Sequence, residues 1–313
     1  MALLTYRDTA NCSFSITSTA PPFSNYTFAE SSFPGCQPLK RLLSLARRLG
    51  YKWLSQEELV PSELSALGDE DLGHRKPHDF SKSQVWRIAF FSKAPDDKAF
   101  NETTDFLGYA ILRRNSFTSD FQDHVYEAVI KCPRYENYYV HCNKTYTVSI
   151  NGSPLSISGN LFCQQDRYTY VCAQTALRMA LAAILPLGDI NYQEINQHAR
   201  VDHVDTVVGE GKGLSSEQIK TVLTKAGISS FRWTAETSNI PYQKYIYGSI
   251  ESGFPALLGL RLQSEKQDEP SHLVPVFGHT FNQDTWVPNA SSSYFTIGNT
   301  TQYLPSETWV SSY

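Results

Sequence analysis

The sequence predicts an α+β protein whose helices and strands are segregated. Three observations carry that prediction. The hydrophobic pattern turns strand-like from about Gln84, it turns helical after Asn160, and the last strand-like runs follow those helices in a block. The chain of 313 residues has 41% hydrophobic, 13% aromatic and 19% charged residues, with no repeat and no low-complexity run, which suits one large domain or two ordinary ones.

Residues 1–35, rich in Ser, Thr, Pro and Phe, have little periodicity and are expected to form an extended arm. Pro38 to Leu49 has helical spacing and stops at Gly50. A second short helix is expected from Ser55 to Leu67, because Ser55 with Glu58 three residues on matches a capping box. Strands follow at Trp86–Phe91, Phe106–Leu112, Val125–Ile130, Tyr138–Val140 and Tyr146–Ile150, with Asn151-Gly152 as a turn signal. Residues 36–155 therefore form an expected helix pair with a largely antiparallel sheet.

Residues 156–313 form the second unit. A helix opening at Cys172, capped by Thr169, ends at Pro186. Tyr192–Ala199 is a second helix, and a third runs from Ser215 or Ser216 to Ala226, stopped by Gly227. The closing strands are Ala256–Leu262, His272–Phe277 and Tyr294–Ile297. Pro275 inside the second of these implies a bulge or an edge.

Charge and composition exclude several classes. The net charge is −4, and the Lys40-Arg41 and Arg47-Arg48 pairs fit the solvated face of a helix, so no nucleic acid is expected as partner. No apolar stretch is long enough to span a membrane, and MALLTYRDTA lacks the charged and apolar regions of a signal peptide. Six cysteines without a CxxC pair are expected to be reduced, which together with the missing signal favours the cytoplasm. Sequons at Asn11, Asn25, Asn101, Asn143 and Asn289 would matter only in a secretory pathway. His141-Cys142 has no second ligand pair at zinc spacing, so neither a metal nor another cofactor is expected.

The chemistry centres on Cys172. In the first turn of a helix, unpaired backbone N–H groups and the positive end of the dipole favour negative charge, which populates a nucleophilic thiolate. A cysteine there can equally be a small buried hydrophobe, so a partner decides. His74, His78, His124, His198 and His203 lie in polar surroundings without a strand or helix to hold them. His272 opens an apolar strand and is favoured as partner; His279, just past Gly278, is expected to hydrogen-bond locally in a turn. Gln164-Gln165 stands just upstream of the helix, where a side-chain amide can join the Cys172 N–H in holding an oxyanion.

A Gln, a Cys opening a long apolar helix, more helices, and a strand pair in which His opens the second strand six residues before Gly resemble the papain-like cysteine peptidases. The likeness is to their compact bacterial C39-like branch. Gly253-Phe254-Pro255 before the His strand matches as well, and the resemblance covers roughly Asn160 to the C-terminus. It implies Cys172 as nucleophile, His272 as general base and acid, and Gln165 (or Gln164) as oxyanion donor. Ala173 is acceptable, though not diagnostic, where Gly or another small residue follows the Cys, and the departure is Asp166, which stands six residues before Cys172, where the family carries Gln. For the third member, which orients the imidazole, the options are Asn299, Asp284 or a residue beyond Tyr313.

The expected function is thiol hydrolysis or acyl transfer on peptide or isopeptide bonds, with a cysteine peptidase as the default. Deamidase or transglutaminase chemistry needs only a different acyl acceptor. A papain-fold binding or scaffold protein without turnover is the second class. The expected partner is a protein or peptide substrate, and the N-terminal half is open to a role as prodomain, substrate selector or partner-binding platform.

Overall fold

A computed structural model describes residues 14–18, 25–59, 84–94, 105–115, 122–132, 138–140, 144–165, 172–186, 190–201, 213–234, 242–260 and 272–280, together with three short strands at 295–297, 300–302 and 309–311. It is a mixed helix-and-strand protein built on antiparallel sheets, as the pattern of elements predicts.

The first helical stripe sets the pattern for the N-terminal half. In α2 (Gln37–Arg48), Leu39, Leu42, Leu43 and Ala46 recur at helical spacing and are buried, while Arg41, Arg47 and Arg48 stay exposed. Burying each leucine contributes about 1.5–3 kcal/mol. Lys40 pairs with Glu30 of α1 (Asn25–Ser32), which packs on α2. The segment expected as an extended arm thus contains a helix, and also a strand, β1 (Phe14–Ser18).

The expected helix at Ser55 is a strand instead. β2 (Trp53–Glu58) pairs antiparallel with β1 and with β3 (Gln84–Phe91). Glu57 decides this locally. It lies directly opposite Arg87 in β3, both are buried, and Arg87 Nε donates to Glu57 Oε1 at 2.5 Å. The second Glu57 oxygen accepts the Asn151 N–H at 3.1 Å. A helix would carry Glu57 away from this cation, and a buried charge left unpaired is costly.

Further strands are β4 (Phe106–Asn115), β5 (Gln122–Lys131), β6 (Tyr138–Val140), β7 (Thr145–Ile150) and β8 (Ser153–Phe162). All but β6 extend one antiparallel sheet in the order β1-β2-β3-β4-β5-β8-β7. Asn151 and Gly152 make the β7–β8 turn with φ of 47° and 76°, as the Asn-Gly signal predicts. Arg114 forks onto Asp123 in β5 at 2.7 and 2.8 Å and also donates to Ser32 O at the end of α1, which satisfies a terminal carbonyl of that helix. That carboxylate raises the pKa of Arg114 further.

Three helices come next at the expected places: α3 (Cys172–Ile184), α4 (Tyr192–Ala199) and α5 (Ser216–Lys225). Asn191 with Glu194, and Ser215 with Gln218, form reciprocal capping boxes. A further helix, α6 (Tyr242–Glu251), leads through Gly253 into β9 (Ala256–Leu260). The Gly253 and Phe254 N–H groups close it on the carbonyls of Ile250 and Ser249.

β10 (His272–Thr280) organises the second sheet. On one side it takes β9 along His272–Val276 and then β6 along Gly278–Thr280; on the other it takes β13 (Trp309–Ser311). β11 (Phe295–Ile297) and β12 (Thr300–Gln302) form a separate pair. The register against β13 shifts between Val276 and Gly278, one residue beyond Pro275, so the irregularity expected from the proline is present. Gly278 is required by close approach: a Cβ there would lie 2.4 Å from the Tyr139 carbonyl of β6.

Candidate active site

Cys172 is the first residue of α3, half-buried and in no disulfide. The helix after it is core on nearly every face, with Ala173 to Ala182 all buried. It packs on β8, β9, β10 and α4. The cap expected from Thr169 lies outside the described residues. At the far end, Lys144 Nζ donates to the Leu185 carbonyl at 2.5 Å, placing a cation at the negative end of the helix.

His272 is the first residue of β10, exposed, directly opposite Leu260 of β9. Cys172 and His272 therefore each open one of two elements that pack against each other. His279 is not in a local turn. It lies within β10, 1% exposed, with Nε2 2.5 Å from Glu251 Oε1 at the end of α6. Its ring stacks on Tyr139 at 5.3 Å and leans on Tyr247 at 4.9 Å. That environment ties α6, β6 and β10 together and leaves His272 as the imidazole at the exposed start of the strand. His124, expected outside any element, lies on β5, and His198 lies in α4, within the expected helix Tyr192–Ala199.

The two glutamines separate. Gln164 continues the β5–β8 pairing: its N–H donates to Val125 O at 3.1 Å, and its side-chain oxygen accepts the Val125 N–H at 2.8 Å. Its amide carbonyl is thus committed to the sheet. Gln165, next along, is half-buried. The segment is held to α3 by the Cys163 N–H, which approaches Met179 Sδ at 3.2 Å. Asp284 and Asn299 lie outside the described residues.

Beneath the first turns of α3 is a polar layer that the sequence pattern does not announce. The Gln174 side-chain amide donates to Asn196 Oδ1 of α4 at 3.2 Å, both residues being buried. Arg178, buried, pairs with Glu127 of β5 at 2.9 Å and lies 5.2 Å from the ring centres of both Tyr126 and Tyr192. The second Glu127 oxygen accepts the Tyr109 hydroxyl at 3.2 Å. Burial, and then the neighbouring Cys163, push the Tyr192 hydroxyl well above its ordinary range, against the opposing pull of Arg178. The one signal of this layer in the sequence is an arginine interrupting an apolar helix.

Among the described residues, no group of three His, Cys, Asp or Glu side chains is placed to hold a metal ion, and no helix is long and apolar enough to cross a membrane. Compared with protein-family models, curated proteins and solved structures, the chain gives no match.

Proposed function

We propose that this protein is a thiol hydrolase or acyltransferase of papain-like design, acting on peptide or isopeptide bonds. One observation carries the reading: a half-buried cysteine opens a core helix that packs on a strand pair whose second strand opens with an exposed histidine. Cys172 stands at the N-terminal end of α3, the positive end of the helix dipole. The thiolate attacks the substrate carbonyl carbon, and the oxyanion is held by the Cys172 N–H and the Gln165 amide. His272 protonates the leaving amine as the C–N bond breaks, giving an acyl-enzyme. It then takes a proton from the incoming acceptor, water for hydrolysis or an amine for transfer, and Cys172 leaves as thiolate. Asp284 or Asn299 is the proposed orienting partner of His272.

The test is alkylation by iodoacetamide near neutral pH, mapped by mass spectrometry. Cys172 should label at least about tenfold faster than the other five cysteines, a difference of about 1.4 kcal/mol. His272→Ala should remove that advantage. Uniform labelling of all six, or indifference to the histidine change, would sink the reading.

A further inference from the structure

We infer that Gln164 is a positioning residue for acyl transfer: its side chain, bonded to Val125, fixes the backbone from which the Gln165 amide reaches the oxyanion. The inference rests on the proposed Cys172–His272 chemistry and concerns a residue that makes and breaks no bond itself.

Two observations carry it. First, the Gln164 side chain stands in for backbone. β5 and β8 pair as far as Ala128 and Phe162. Just beyond, the Gln164 N–H donates to Val125 O at 3.1 Å, and Gln164 Oε1 accepts the Val125 N–H at 2.8 Å. In a regular antiparallel pair a backbone carbonyl would accept that second bond. Because the side chain accepts it, the main chain is free to leave the sheet at Gln165, and the buried Val125 keeps a partner for its N–H.

Second, the same point is pinned from the other side. The Cys163 N–H approaches Met179 Sδ at 3.2 Å, and Met179 lies on α3, the helix that Cys172 opens. Phe162 and Cys163 are both buried. Residues 163 and 164 are therefore tied to the helix that carries the nucleophile and to the large sheet. Gln165 is the next residue, half-buried, and its backbone begins where those ties end. A donor on a fixed backbone needs little reorganisation when charge develops on the substrate, which is the source of an oxyanion site's effect.

The chemistry of the bond separates this role from that of an oxyanion donor. Gln164 is held through its oxygen, so the position needs an acceptor, whereas an oxyanion site needs N–H groups. A carboxylate at 164 keeps an acceptor for Val125 and, when ionised, has no hydrogen to donate. A thioether of similar length keeps the bulk and offers only a weak acceptor.

Two reagents separate positioning from thiol reactivity in the full chain. Iodoacetamide is attacked at its methylene carbon: the S–C bond forms, iodide leaves with the C–I electron pair, and no oxyanion develops. p-Nitrophenyl acetate is attacked at its carbonyl carbon: the S–C bond forms through a tetrahedral oxyanion, and p-nitrophenolate leaves. Rates at Cys172 are taken as the difference from Cys172→Ala. Gln164→Met should slow acetylation by about ten- to a hundredfold, the loss that follows a misplaced donor, while alkylation stays within about twofold of wild type. Gln165→Ala should slow acetylation at least as much, and adding Gln164→Met to it should cost nothing further. Gln164→Glu should acetylate within a few-fold of wild type. If Gln164→Met does not fold, Gln164→Ser, which leaves room for water at the Val125 N–H, should show the same split between the two reagents. Unchanged acetylation in Gln164→Met, an equal loss of acetylation and alkylation, or a further loss on top of Gln165→Ala would overturn the inference. A loss in Gln164→Glu as deep as in Gln164→Met would also overturn it, by making Gln164 the oxyanion donor itself. Uniform alkylation of all six cysteines in the wild type would remove the catalytic reading and the inference with it. Selective alkylation of Cys172 with unchanged acetylation in Gln164→Met would remove the inference alone.

Discussion

Arg178 stands fewer than two turns from Cys172, and its charge is neutralised by the β5 carboxylate of Glu127. Removing one member of a buried pair leaves an uncompensated charge, so Arg178→Met should lower stability by about 3–5 kcal/mol. The double variant with Glu127→Leu should regain most of that loss, because apolar residues of similar volume replace buried pairs at little cost. Urea unfolding of the single and double variants reads the difference. Tyr192 gives a pH signature of the same cluster. Its folded pKa is raised, so its contribution is fully present below the ordinary tyrosine pKa of about 10 and is lost as pH rises toward the folded value. The ultraviolet difference between wild type and Tyr192→Phe should show no tyrosinate near pH 10, only one that appears with alkaline unfolding. These pairs are illegible in sequence for a plain reason: Glu127 and Arg178 are 51 residues apart, and Glu57 and Arg87 are 30 apart.

Elements are legible in the sequence where local pattern and tertiary demand agree. The Cys172 helix, the capped helices at Asn191 and Ser215, and the His272 strand all announce themselves through periodicity and caps. For the candidate site this places Cys172 and His272 at the starts of their elements, while the roles of Gln164 and His279 depend on partners supplied by β5 and α6. β2 goes the other way, since its Ser-x-x-Glu signal carries helix-forming residues that a distant arginine holds in a sheet. α6 escapes the pattern although Tyr242, Tyr245, Ile246, Ser249 and Ile250 have helical spacing; tyrosines and Gly248 have weak helix propensity and obscure it. Gly278 shows the same dependence on a distant neighbour. Gly278→Ala should push a methyl against the Tyr139 carbonyl, disturb the β6–β10 pairing and cost about 2–3 kcal/mol in thermal or chemical unfolding. A stability within a few tenths of wild type would mean that β6 yields freely.

At the scale of the molecule, the question is whether the N-terminal half can be separated from Cys172. Four features join the halves. The boundary expected near residue 155 falls inside β8, which pairs with β5 and β7 and runs on to Phe162. β6, from the N-terminal half, completes the sheet around β10, and Glu127 neutralises the arginine of the Cys172 helix. One hydrophobic cluster runs from Leu39 of α2 through Ile111 and Val129 of the large sheet to Leu177, Ile195, Val222 and Phe277. A removable prodomain would have few contacts across its boundary and a core of its own. This chain is instead expected to unfold as one cooperative unit, with calorimetric and van't Hoff enthalpies equal in a single transition. Residues 156–313 expressed alone should lack near-ultraviolet circular dichroism, because removing residues 1–155 strips Arg178 of its carboxylate and β10 of β6. Two transitions, or a folded fragment with selective Cys172 labelling, would instead make the N-terminal half a separable module and return it to the role of prodomain or substrate selector.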